Sequence, residues 1–71
     1  MNSQSLVSMA EQIIANQAIA NTQDAANALT LHLKKFWAPQ MRNELVHALM
    51  ENPNRSSEVL DMTIRELQPK P

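Results

Sequence analysis

The stretch His32-Leu-Lys-Lys-Phe-Trp-Ala-Pro-Gln-Met-Arg42 decides the fold of this chain. It holds the only Phe and the only Trp, three of the six Lys and Arg residues, and a proline lying between two apolar-periodic segments. Pro39 disfavours helical geometry at Ala38 and has no N–H with which to continue a helix, yet its fixed φ suits the first turn of a new one. One helix is therefore expected to end at Phe36 and Trp37, and another to begin at Pro39 and carry Met41 and Arg42. A Phe or Trp can bury on the order of 150 to 250 Å², so in so small a protein the corner should be the centre of the fold. Adjacent helical positions diverge by about 100°, so the two rings cannot both point inward to one spot. The expectation is Phe36 in the core and Trp37 at its rim.

Upstream of the corner, Ala25, Ala26, Leu29, Leu33, Phe36 and Trp37 fall on one side of a helix that begins after Asn21 or Thr22, with His32 on the edge of that side and Leu31 pointing away. Asn21 followed three positions later by Asp24 resembles a capping arrangement. A first helix starts with Ser3 or Ser5 as its cap and runs to about Ala20, its stripe made of Leu6, Met9, Ala10, Ile13 and Ile14, with Val7 off it. Downstream, a third helix runs from Pro39 to about Asn52 with Met41, Leu45, Ala48 and Leu49 inward, Val46 at the border, and Met50 and His47 facing elsewhere. Pro53 breaks it, and Ser56 or Ser57 caps a fourth helix in which Val59, Leu60, Thr63, Ile64 and Leu67 share a face. Glu58 near its start and Arg65 near its end suit its dipole. Residues 1–4 and 69–71 are expected to be mobile ends.

The composition points the same way. Gly is absent and β-branched residues never run longer than two, which favours helix over the turns of a small sheet. The seven Asn residues cluster where helices should end, and are expected to fill the left-handed cap positions that Gly normally takes. The fold class is thus all-α, one domain over residues 1–71, a bundle of three to four short helices. A chain of 71 residues builds one small core and usually needs an additional stabiliser. Without Cys, disulfides and thiolate metal sites cannot supply it. Oligomerisation or a partner protein remains.

Little chemistry is encoded. There is no Gly-rich phosphate loop, no Cys nucleophile and no Ser in a nucleophile elbow, and the carboxylates are scattered over outer helix faces. Glu44, His47 and Glu51 share a face, a spacing more often a solvated ladder than a metal site. His32 could serve as metal ligand, general base, polar contact to another subunit or half-buried core imidazole. With His47 the only other His, the structural or interface role leads. No catalytic residue, no metal and no cofactor is assigned to the chain. Six basic residues against seven acidic ones give a formal charge of −1, so no net field attracts polyanions. Lys34, Lys35 and Arg42 form the one local positive cluster, too few charges to neutralise many phosphates. The polar start and the short apolar runs argue against export and membrane insertion.

Binding remains, since Trp, Met and Arg are enriched at interface centres. The residues of the corner also carry a resemblance: His32, Lys35, Phe36, Trp37, Pro39, Met41 and Arg42 resemble the H-x-x-K-F-W-x-P-x-M-R motif of the small delta subunit of soluble NAD-dependent formate dehydrogenases. Leu6-Val-Ser-Met-Ala-Glu-Gln-Ile13 is similar to that family's amino-terminal L-V-x-M-A-N-Q-I. Glu11 stands where the family usually has Asn, and Asn52-Pro-Asn-Arg-Ser-Ser57 replaces a loop normally rich in Gly. The resemblance implies a cytoplasmic accessory subunit, associated with assembly or stability of the active complex. It also implies that molybdenum or tungsten bis-pterin, iron–sulfur clusters, flavin and NAD reside in the larger partner subunits. The partner-binding residues expected from the corner are Trp37, Pro39, Met41, Arg42, His32 and Lys35, joined by the outward Leu31 and Met50. A competing reading is a free-standing helical module that self-associates or binds nucleic acid, with Gln40, Arg42 and Asn43 at the start of a reading helix after Pro39.

Overall fold

The computed structural model describes residues 3–68 and contains no strand among them. Four α-helices follow in order: α1, Ser3–Gln17; α2, Thr22–Phe36; α3, Pro39–Glu51; and α4, Glu58–Leu67, with a 3₁₀ turn at Pro53–Arg55 between the last two. The all-α class, the helix count and the proline corner agree with the sequence. Ser3 and Gln4, expected within a mobile end, are the first residues of α1. The remainder of the expected mobile ends, residues 1, 2 and 69–71, lies outside the described residues.

The principal packing pairs are not neighbours in sequence: α2 lies mainly against α4, and α1 mainly against α3. One core joins all four. Leu6, Val7 and Ala10 of α1 meet Leu29 and Leu33 of α2, Trp37 at the corner, Leu45, Ala48 and Leu49 of α3, and Leu60 of α4. A Cα radius of gyration of 11.0 Å is what about 70 residues in a compact domain should show. Two threonines are buried in this apolar interior. Each donates its hydroxyl to the carbonyl four residues back, Thr30 to Ala26 at 2.8 Å and Thr63 to Val59 at 2.9 Å, so neither carries an unpaired polar group inward.

The starts of α2 and α4 follow the sequence closely, but Ser3 and Ser5, expected to cap α1, lie within that helix. The Asn21 side chain accepts the Asp24 N–H at 3.0 Å, capping α2, and the Ser57 hydroxyl accepts the Leu60 N–H at 3.3 Å, capping α4. Ser56 instead donates to the Asp61 carboxylate. The helix ends differ from expectation. α1 stops at Gln17 rather than near Ala20, and the left-handed residue that follows it is Ala18, at φ 55°; no Asn among the described residues has positive φ. With no Gly to hand, the chain turns on a residue whose Cβ disfavours that conformation by about 1–2 kcal/mol.

α1 also sits rotated from its expected face. Val7 is buried and Met9 is 40% exposed. On a wheel of about 100° per residue, the buried Leu6, Val7 and Ala10 centre the inward face between Leu6 and Val7, which carries Met9 to its edge. Apolar residues occupied an arc wider than one neighbour can cover, and packing against α3 selected which part of it faces inward.

Leu29→Ala, at a fully buried position, should cost about 2–5 kcal/mol in urea or thermal unfolding, a large share of what so small a domain has. Ala18→Gly should have the opposite sign. Relief of the left-handed strain outweighs the added freedom of the unfolded chain, for a net gain of up to about 1 kcal/mol.

Candidate docking site at the helix corner

The corner is made by one residue leaving the helix. Trp37 has φ −100° and ψ 140° while its N–H still closes the last turn of α2 on the Leu33 carbonyl at 2.9 Å. Ala38, at φ −64° and ψ 150°, continues the extended path, and Pro39 opens α3 where its missing N–H is of no consequence. Arg42 then reaches back across the turn. Its Nη1 donates to the carbonyls of Lys34 at 3.1 Å and of Leu33 and Trp37 at 3.4 Å. These carbonyls lie at the end of α2, where intrahelical donors run out and the helix dipole is negative, so a guanidinium is well matched there. The half-buried Arg42 thus ties the first turn of α3 to the last turn of α2.

The structure inverts the expected placement of the rings. Trp37 is 7% exposed and belongs to the core, whereas Phe36 is 71% exposed. The premise that one ring goes in and one stays out holds; the helical wheel assigned them wrongly because Trp37 is not helical. Its extended backbone swings the indole inward, and Phe36, the last helical residue, is left outside. Phe36 lies against His32, one turn earlier, with ring centroids 4.8 Å apart and planes tilted by 43°.

Beside this ring pair, α1 and α2 leave an open groove of ≈ 430 Å³ lined by Ser8, Met9, Gln12, Ile13, His32 and the edge of Trp37. The residues expected to bind a partner do not form a single patch. His32 and Trp37 line the groove, while Lys35 and Pro39 are exposed at the corner. Met41 is half-buried against the core, and Arg42 is engaged by carbonyls. Leu31, 62% exposed, lies in a separate depression of ≈ 280 Å³ with Asn27, Thr30, Lys34 and Glu66. Met50, 60% exposed, is at the end of α3, where its sulfur accepts from the Gln68 amide at 3.8 Å. Sequence reasoning missed Phe36 and Met9 as surface, whereas Ile13, half-buried against the core as its stripe implies, also lines the groove. The clue for Met9 was present: it sits at the margin of the α1 stripe. For Phe36 there was none, because its exposure depends on where Trp37 goes.

Among the described residues no group of three or more His, Cys, Asp or Glu is gathered to hold a metal ion. The two departures from the delta-subunit pattern touch one another: Glu11 of α1 pairs with Arg55 of the 3₁₀ turn at 3.5 Å, a partly exposed contact. Such a pair contributes little stability, but it connects α1 to the turn before α4.

Trp37→Ala should therefore cost about 3–5 kcal/mol of folding stability, and Phe36→Ser no more than about 0.5 kcal/mol, in parallel denaturant titrations. Arg42→Ala should lower stability by about 1–3 kcal/mol through carbonyls left without their charged donor.

The family model described as the NADH-dependent formate dehydrogenase delta subunit FdsD matches residues 5–66. No curated protein and no solved structure matches the chain. The matched span runs from the first turn of α1 almost to the end of α4 and takes in the whole corner. The chain belongs to the delta-subunit family of NADH-dependent formate dehydrogenases, FdsD.

Proposed function

We propose that the chain is a non-catalytic accessory subunit of a cytoplasmic NAD-dependent formate dehydrogenase, which binds the larger subunits and supports assembly or stability of the active complex. Family membership supports the identity of the complex. The observation that carries the docking role is the 71% exposure of Phe36, the chain's only Phe, on a domain with a very small core. An aromatic left outside under those conditions is stabilised when a second surface covers it.

On this reading Phe36 takes the place at the centre of the interface first given to Trp37. His32, Lys35 and Pro39 surround it, and Trp37 offers one edge to the groove. Met41 and Arg42 act by holding the corner in shape, while Leu31, in a separate depression, and Met50, at the end of α3, stand outside this contact. The molybdenum or tungsten bis-pterin, iron–sulfur clusters, flavin and NAD belong to the larger subunits. This chain lacks the Cys donors that an iron–sulfur cluster takes, and no step of formate oxidation is assigned to it. Among the described residues no helix is long and apolar enough to cross a membrane. The competing nucleic-acid reading is disfavoured because Arg42, the charged member of its reading helix, is turned back onto α2.

Co-expression with the larger subunits tests the proposal. The wild-type chain should co-purify with them, and its deletion should lower the yield of complex active in formate-dependent NADH formation. Phe36→Ser should weaken association by about 30-fold, the equivalent of about 2 kcal/mol, with an unchanged helical spectrum. A full yield of active complex without the chain would rule the role out.

A further inference from the structure

We propose that the groove between α1 and α2 receives one amphipathic helix of a larger formate dehydrogenase subunit, with an apolar side chain entering between Met9, Ile13 and Trp37 and a carboxylate pairing with Lys35. This rests on the accessory-subunit reading and specifies its contact. The groove has two helical walls, an apolar floor and a width open to solvent. No strand edge exists among the described residues, so a peptide cannot be held by strand addition, and helix-in-groove docking is the mode that such walls support.

Charge selects the occupant. Lys35 is exposed and follows the lining residue His32 by three positions, which puts it on the rim beside the groove rather than in its lining. None of the lining residues is acidic. The acids on the two walls are Glu11, paired with Arg55, and Asp24, about 12 Å along α2 from His32. A second copy docked groove to groove offers Lys35 no acidic lining residue to pair with. A partner helix bearing Asp or Glu one turn from its apolar anchor supplies one, and Gln12 and Ser8 offer hydrogen bonds at the opposite lip.

Lys34 supplies the internal control, since it lines the other depression beside Glu66. The affinity of the full chain for the purified larger subunits is measured at two salt concentrations for the wild type, Lys35→Glu and Lys34→Glu, with a photo-crosslinking residue substituted for Met9 in a parallel sample. The proposal expects Lys35→Glu to bind about ten-fold more weakly, Lys34→Glu to bind like the wild type, and the crosslink to fall on a helical, acid-bearing segment of a larger subunit. Equal effects of the two substitutions, no effect of Lys35→Glu, or a crosslink only to a second copy of this chain would overturn the groove assignment while leaving the accessory role standing. A wild-type chain that does not bind the larger subunits at all overturns both.

Discussion

Trp37 stands in extended conformation directly after a helix, and most of the structure depends on that one backbone choice. It turns the indole into the space where α1 and α3 meet α2, and it leaves the last carbonyls of α2 facing the start of the next helix. Pro39 makes the departure obligatory, because a continued helix would lack an N–H and clash with the preceding turn. Arg42 makes the new direction stable by donating to the carbonyls of Leu33, Lys34 and Trp37, the first of which also accepts the Trp37 N–H. Corner, core and outer ring are therefore one arrangement.

The same arrangement explains why a domain short of buried area leaves its only Phe outside. The interior is already occupied by small and medium side chains: Ala10, Ala25, Ala26 and Ala48 allow the helices to approach, and the leucines fill what remains. Trp37 takes the one large space. A second ring pointing inward from the neighbouring position would need a volume that close-packed helices do not leave. Phe36 instead rests on His32, which lines the open groove between α1 and α2.

Much of this was legible beforehand. Pro39 marked the corner, Asn21 and Ser57 marked helix starts through their side-chain oxygens, and Leu31 and Met50 lay off every apolar stripe. Each of these signals is local, carried by a residue and its neighbours within one turn. The errors share a different origin. Val7 and Met9 exchanged places because the rotation of α1 is set by what α3 presents to it. Ala18 took the left-handed position because the chain had to reverse before Asn21, whatever residue stood there.

The sequence by itself determined the helical class, the place of the corner, the caps at Asn21 and Ser57 and the family, since backbone chemistry and motif spacing are properties of short segments. Only the tertiary structure decided which ring is buried, which carbonyls Arg42 satisfies and where a groove remains open. Those outcomes depend on how helices distant in sequence share a limited volume, and a periodic pattern along one helix carries no information about what stands opposite it.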